Sequence, residues 1–345
     1  METTFYYCIL LFIIYIFLEK YLRKKKNRLP PSPALSVPII GHLYLIKKPL
    51  HRTLAKLANK YGPILYLKFG SRPVVIVSSP SAAEECFTKN DIAFANRPGL
   101  LAGKHLGYNY TTLVWASYGS HWRNLRRIAS LELLSSHRLQ MFYGVRADEV
   151  RSLISHLFRG SRGSEFHIVD MKSTFFELTL NVIMRMIAGK RYYGEDVAQS
   201  NEAKRFEQIV RETFQLSGAT NIGDFVPILK YVTANGLEKK LVILQKKRDK
   251  FMQDLIEEHR NVHSGSVSEQ RSKTMVDVLL SLQGTEPEYY TDEIIRGMMQ
   301  VMLSAGSDTS AGTMEWGAGL TMPKAQALVA KCRPRPIMLP LLSQL

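Results

Sequence analysis

The chain has 345 residues, 46% of them hydrophobic, with 46 Lys and Arg against 30 Asp and Glu, a net charge of +16. That length allows one large domain or two small ones with ample apolar content for a core, and three widely separated cysteines exclude a disulfide framework or a zinc site and fit a reducing compartment. The positive excess favours an anionic surface as partner, but the basic residues are scattered, with no zinc-finger spacing and no RNA-binding aromatic signature, so nucleic acid is not expected as a partner.

Phe5 to Leu18 is unbroken apolar sequence. Extended from Thr3 to Leu22, with Glu19 and Lys20 snorkelling, it reaches the roughly 20 residues a bilayer needs. No basic segment precedes it and no small-residue cleavage site follows, which favours a retained signal anchor over a cleaved signal peptide. The basic run Arg23 to Arg28 then holds the rest of the chain on the cytosolic side. The expected division is a transmembrane anchor over 1–22, a basic and proline-rich hinge over 23–49, a folded region over 50–316, and a tail of different character over 317–345.

Leu29 to Pro38 reads as a stiff, extended connector, because proline excludes helix. Leu50 to Tyr61 is an amphipathic helix stopped by Gly62-Pro63. Two strands follow, Ile64 to Phe69 and Val74 to Ser78, around a Gly70-Ser71-Arg72-Pro73 turn. Ser79 caps the next helix, with Pro80 at its first position. Beyond this small mixed region the patterns are nearly all helical: Met171 to Ala188 with Gly189 as a stop, and a charge-laced helix over Leu237 to His263. Arg159 to Ser164 and Val262 to Lys273 read as surface loops. The expected fold class is mainly α with a small β region (α+β).

Trp122 and Arg126 are four residues apart, hence stacked on one helix face. An indole N–H and a guanidinium together can bind a carboxylate or phosphate, or simply form a surface cation–π pair. His121 beside them reads as a polar helix residue rather than a metal ligand. Thr291 to Trp316 is expected as one helix of about 26 residues, about 39 Å long. Met298, Met302, Ala305, Thr309 and Thr313 share a face that changes from Met to small residues and hydroxyls. Gly306 inside a helix costs roughly 1 kcal/mol relative to Ala and signals close approach by another group. Spacing alone favours a core helix packed through small residues; the other reading is a narrow place for a planar cofactor and a small ligand.

The wording Ala305-Gly306-Ser307-Asp308-Thr309 resembles the signature of the long central helix in cytochrome P450 monooxygenases. LPPSP, PIIGH, the Trp-x-x-x-Arg helix and AGSDTSAGTMEW are similar to plant microsomal members of the isoflavone 2'-hydroxylase-like branch. The resemblance implies a cytochrome P450 fold behind the anchor, with 50–316 as the N-terminal two-thirds of that domain. It implies an oxygen groove at Ala305 and Gly306, proton relay by Asp308 and Thr309, and a grip on haem propionates by Trp122, Arg126 and Arg97. It also implies residence in the endoplasmic reticulum membrane and NADPH-derived electrons delivered by NADPH–cytochrome P450 reductase. The substrate would be a small apolar or aromatic metabolite such as a flavonoid, lying among Leu100 to Thr112, Phe206 to Leu216 and Met298 to Ser304.

Residues 317–345 contain no acid and four prolines. The family's Glu-x-x-Arg helix, Pro-Glu-Arg-Phe segment and cysteine loop for the haem iron are not found in them, and Cys8, Cys86 and Cys332 do not match that loop. The axial cysteine is therefore expected to be absent, and the chain as written is expected to be catalytically incompetent. The alternative is a non-catalytic, membrane-anchored remnant or interaction protein.

Overall fold

A computed structural model describes residues 7, 13, 14, 29–33, 35–161, 166–194, 200–219, 221–264, 273–315 and 329–332. Nearly all of the expected anchor, the whole basic run 23–28, Trp316 and most of 317–345 lie outside the described residues. Among the described residues no helix is long and apolar enough to cross a membrane. The chain divides into two compact units, one of residues 1–95 with 221–237, the other of 96–220 with 238–345.

In the first unit, α1 (Leu50–Tyr61) ends at Gly62, whose φ of 111° suits glycine alone. β1 (Ile64–Phe69) and β2 (Arg72–Val77) form an antiparallel hairpin in which Phe69 faces Arg72. The turn is therefore Gly70-Ser71, and Pro73 lies inside the second strand rather than in the turn. A two-stranded sheet has only edges, so a proline without an N–H is tolerated there. Ser79 caps α2 (Pro80–Phe87) through the Ala82 N–H.

The Pro38 to His42 segment is more than a connector. Gly41 bridges to Phe69 and to Val37, at φ 61° and so close to Lys68 that a Cβ would sit 2.4 Å from its carbonyl oxygen. His42 is fully buried and accepts the Lys68 N–H at Nδ1, 2.9 Å. The Ser71 N–H donates to the Phe225 carbonyl at 2.8 Å, which ties segment 221–229 to the hairpin turn.

The second unit is helical: α3 (Leu101–Leu106), α4 (Ser120–Ile128), α5 (Ser136–Met141), α6 (Tyr143–Gly160), α7 (Met171–Ala188), α8 (Asn201–Ser217), the 238–264 part of α9 (Lys230–Ser264), α10 (Met275–Thr285) and α11 (Asp292–Glu315). α7 is its axis. Leu180, Met184 and Ile187 are fully buried on it, and it ends at Gly189 in the left-handed conformation. An aromatic cluster joins α8 to α9, with Tyr192 stacked on Phe206 at 4.4 Å and Phe251 5.5 Å from Phe206. A capping box of Thr274 and Asp277 starts α10. β3 (His167–Asp170) pairs antiparallel with β4 (Val329–Cys332). The architecture is mainly α with little sheet, as the sequence patterns lead one to expect.

Candidate active site

α11 begins where its sequence says it should. The Thr291 hydroxyl accepts the Ile294 N–H at 3.4 Å. Asp292 in the first turn is held by Arg260, by Gln283 at 3.0 Å and by Gln253 at 2.7 Å. The Arg260 guanidinium, ahead of the amides, keeps the Asp292 carboxyl well below the usual carboxylate range. Ile295, Met298, Met299 and Leu303 are buried, so the first half of the helix is core.

The second half differs. Ala305, Thr309, Thr313 and Met314 are exposed, whereas Ser307 and Ala311 are buried and Asp308 is half-buried. Gly306 does admit a close neighbour, and the neighbour is Ile183 of α7: a Cβ on Gly306 would lie 2.7 Å from its Cδ1. Next to it, Thr179 donates to the Ser307 carbonyl at 3.2 Å, and Ser307 donates to the Leu303 carbonyl at 2.7 Å. Small residues thus seat α7 against one side of α11 and leave the Ala305–Thr309 side open. The Thr309 hydroxyl donates to the Ala305 carbonyl. Its oxygen can still accept a hydrogen bond, but it must release Ala305 before its own proton can go elsewhere.

Trp122 and Arg126 stand together on α4, the Arg126 guanidinium lying over the indole at 5.5 Å. Arg126 is exposed. Neither the indole N–H nor the guanidinium has a hydrogen-bond acceptor among the described residues, so both can donate to an anion. Arg97 is brought to the loop that feeds this helix: its Nε donates to the Val114 carbonyl at 3.2 Å, and Asn96 accepts the Tyr118 N–H at 3.1 Å. His121 is occupied at both ring nitrogens, by the Thr111 carbonyl at 2.7 Å and the Tyr289 hydroxyl at 2.9 Å, which leaves no lone pair for a metal.

The structure also assembles a partly buried polar network, with Arg248 and Gln300 its buried members, for which the sequence held no signal. Tyr108 donates to Asp249; Gln300 Nε2 donates to the Tyr108 oxygen at 3.0 Å; Gln245 Nε2 donates to Asp249 at 2.8 Å; and Arg248 donates to Gln245 Oε1 at 3.1 Å. Burial first, and Asp249 second, push the Tyr108 hydroxyl far above the tyrosine range. Burial lowers the Arg248 guanidinium to about 10, which still leaves it charged at neutral pH. A cavity of about 10 Å³ adjoins this network, walled by Val210, Thr213 and Phe214 of α8, Arg248 and Met252 of α9, and Gln300, Leu303 and Ser304 of α11. It draws on two of the three stretches expected around a substrate, and Tyr108 of the third touches it through Gln300. A separate cleft of about 480 Å³, near Glu149, His156, Glu177 and Tyr193, includes none of the motif residues.

Comparison with known proteins settles the class. The sequence profile described as Cytochrome P450 matches residues 30–333, and the chain belongs to that family. It is 50% identical to Cytochrome P450 81Q32 of Catharanthus roseus over 305 residues, 88% of this chain and 59% of that protein. It is 50% identical to an isoflavone 3'-hydroxylase of Medicago truncatula over 322 residues, 90% of this chain and 63% of that protein. It is also 50% identical to an isoflavone 2'-hydroxylase of Glycyrrhiza echinata over 313 residues, 90% and 60% of the two. These matches put the chain in the plant, isoflavone-hydroxylase-like branch of the family. The chain spans about three-fifths of the length of the curated relatives it matches.

The family uses haem with reductase-supplied electrons, and two sides of the present residues suit haem. The open donors of Trp122 and Arg126 fit carboxylates, and the exposed Ala305–Thr309 side leaves space beside α11. Of the described cysteines, Cys86 sits in α2, and Cys332 sits in β4 opposite His167.

Proposed function

We propose that these residues form the substrate- and oxygen-side part of a haem-thiolate monooxygenase that hydroxylates a small aromatic metabolite of the flavonoid or isoflavone type. The observation that carries this reading is the Ala305–Thr309 stretch on a helix buried on one side and open on the other, in the same compact unit as the Trp122–Arg126 pair. The printed activities of two relatives, isoflavone 2'- and 3'-hydroxylation, support the substrate class. Haem, when bound, supplies the oxygen-activating redox chemistry. Arg126 and Trp122 donate hydrogen bonds to its carboxylates, with Arg97 at the same edge. Ala305 keeps the open helix surface flat, Gly306 seats the helix on Ile183 of α7, and Thr309 Oγ1 with the Asp308 carboxyl passes protons inward from solvent. NADPH–cytochrome P450 reductase delivers the electrons, and 1–22 anchors a cytosol-facing domain in the endoplasmic reticulum membrane.

We further propose that residues 1–345 alone do not turn over; the reading is supported by the sequence around Cys86 and Cys332, which does not match the family's cysteine loop. The test is the reduced, carbon-monoxide-bound difference spectrum of the 345 residues expressed in microsomes. No thiolate-type band is expected; a strong one refutes this part of the reading. Joined to the remaining C-terminal two-fifths of an isoflavone hydroxylase, the same residues should give that band and hydroxylate an isoflavone with NADPH and reductase. A correct band without turnover of any flavonoid overturns the substrate assignment. In the joined protein, Arg126→Leu should weaken haem retention about tenfold or more, the worth of a charge-assisted hydrogen bond.

A further inference from the structure

We infer that His121 is a positioning residue: its single imidazole sets α4, which carries Trp122 and Arg126, against both the 100–112 stretch and the approach to α11. This rests on the site reading above and adds to it a residue that touches neither haem nor substrate.

α4 has little of its own to fix its start. It is nine residues long, short of the roughly 12–15 that an isolated helix needs in water. Gly119 at its N-cap brings no side chain, and no side-chain hydrogen bond caps the first turn. No acid lies on the helix, and Arg123 stands in the first turn, the end at which the dipole disfavours a cation. Trp122 belongs to that same turn. Its order must therefore come from contacts outside the helix, and His121 makes two of them.

The Thr111 carbonyl can only accept, so Nε2 of His121 carries the proton and donates to it. In the neutral ring Nδ1 keeps its lone pair and accepts the Tyr289 hydroxyl. The two partners thus fix the tautomer and the plane of the ring together. Each partner is itself held. The Thr111 N–H donates to the Gly107 carbonyl at 2.9 Å, and Thr112 presses on α11, where a Cβ on Gly297 would lie 3.1 Å from its Cγ2. Tyr108, Asn109 and Tyr110, just before Thr111, are all left-handed, with φ of 48°, 54° and 66°, a costly reversal that needs its far end fastened. On the other side, Tyr290 next to Tyr289 is 1% exposed and its carbonyl accepts the Gln283 amide at 2.7 Å. Haem grip, substrate wall and oxygen helix therefore meet at one ring. Trp122 is the next residue in the helix, so the anchored ring sets the direction in which its indole leaves α4. Arg126, lying over that indole, follows it.

The test is titration of the full chain with haemin, followed by tryptophan quenching, with amide exchange read by mass spectrometry on the same proteins. His121→Phe keeps a ring and loses both hydrogen bonds; His121→Gln keeps a donor and an acceptor; Tyr289→Phe removes one bond only. His121→Phe should weaken haemin binding about tenfold and speed exchange at least about threefold over both 101–112 and 120–124. His121→Gln should bind haemin within about threefold of the wild type. Tyr289→Phe should speed exchange over 120–124 and leave 101–112 protected, because the Thr111 bond remains. Unchanged haemin binding in His121→Phe overturns the assignment and leaves the haem reading standing. Equal losses in the Phe and Gln variants also overturn it, since the ring then only fills space. A wild type that does not bind haemin removes the haem grip and the positioning role with it. Should His121→Phe lose protection throughout α7 and so be unfolded, Tyr289→Phe, which leaves α4 intact, decides: equal loosening of both stretches, or of neither, overturns the assignment.

Discussion

Ile183 occupies the place where Gly306 would carry a side chain. Gly306→Ala gains helix propensity of about 1 kcal/mol but drives a methyl to 2.7 Å from Ile183 Cδ1, an overpacking that costs typically 1–3 kcal/mol. The substitution should lower stability by about 1 kcal/mol net. Ile183→Val removes the clashing carbon, so a double-mutant cycle in denaturant should return a favourable coupling of about 1 kcal/mol; additivity would show that the glycine serves something other than α7. Asp292 gives a second residue-scale expectation. Its carboxyl is depressed in the folded state, so its stabilising effect is complete above the unfolded value of about 4 and is lost as pH falls through the folded value. Asp292→Asn should cost about 1–2 kcal/mol at pH 7 and flatten the acid limb of stability below pH of about 4, measured by urea unfolding across pH. At this scale the sequence was only partly legible. The cap at Thr291 and the close approach at Gly306 are written in local residue types. The Tyr108–Asp249–Gln300–Arg248 network is not, because its members are polar residues up to 192 positions apart that only tertiary packing brings together.

Elements were the most legible level. α1 and α7 have the bounds their patterns foretold, since amphipathic or apolar periodicity ends at Gly62 and Gly189. α11 runs over Asp292–Glu315, one residue inside the expected start. The second strand begins two residues before its expected start because Phe69 pairs with Arg72, a register set by the two-residue turn. α9 extends past its expected limits to Lys230 and Ser264. α3 lay hidden in a stretch rich in Gly and Tyr, where Gly103 is needed because Trp115 packs where a Cβ would be. α11 itself changes environment halfway. Amide exchange over 305–315 in the 345-residue chain should be clearly faster than over 295–303, read by mass spectrometry. In the joined protein the two halves should become alike; persistence of the contrast would mean the Ala305–Thr309 side faces solvent there too.

For the whole molecule, charge gives the clearest expectation. The net charge of +16 over 345 residues should make a form lacking 1–22 bind anionic vesicles through electrostatics alone. Its binding should fall several-fold between about 0.1 M and about 1 M salt, as the screening length drops from roughly 10 to 3 Å. Salt-independent binding in a sedimentation assay would point to apolar insertion instead.

The bond between Ser71 and Phe225 also sets a timetable. Its partners lie 154 residues apart in the chain. A ribosome adding about 5–20 residues per second needs roughly 8–30 s to make that stretch. Throughout that wait the Gly70–Ser71 turn is a finished hairpin tip with its later partner still unsynthesised, so the nascent first unit offers bare backbone to whatever chaperone stands nearby.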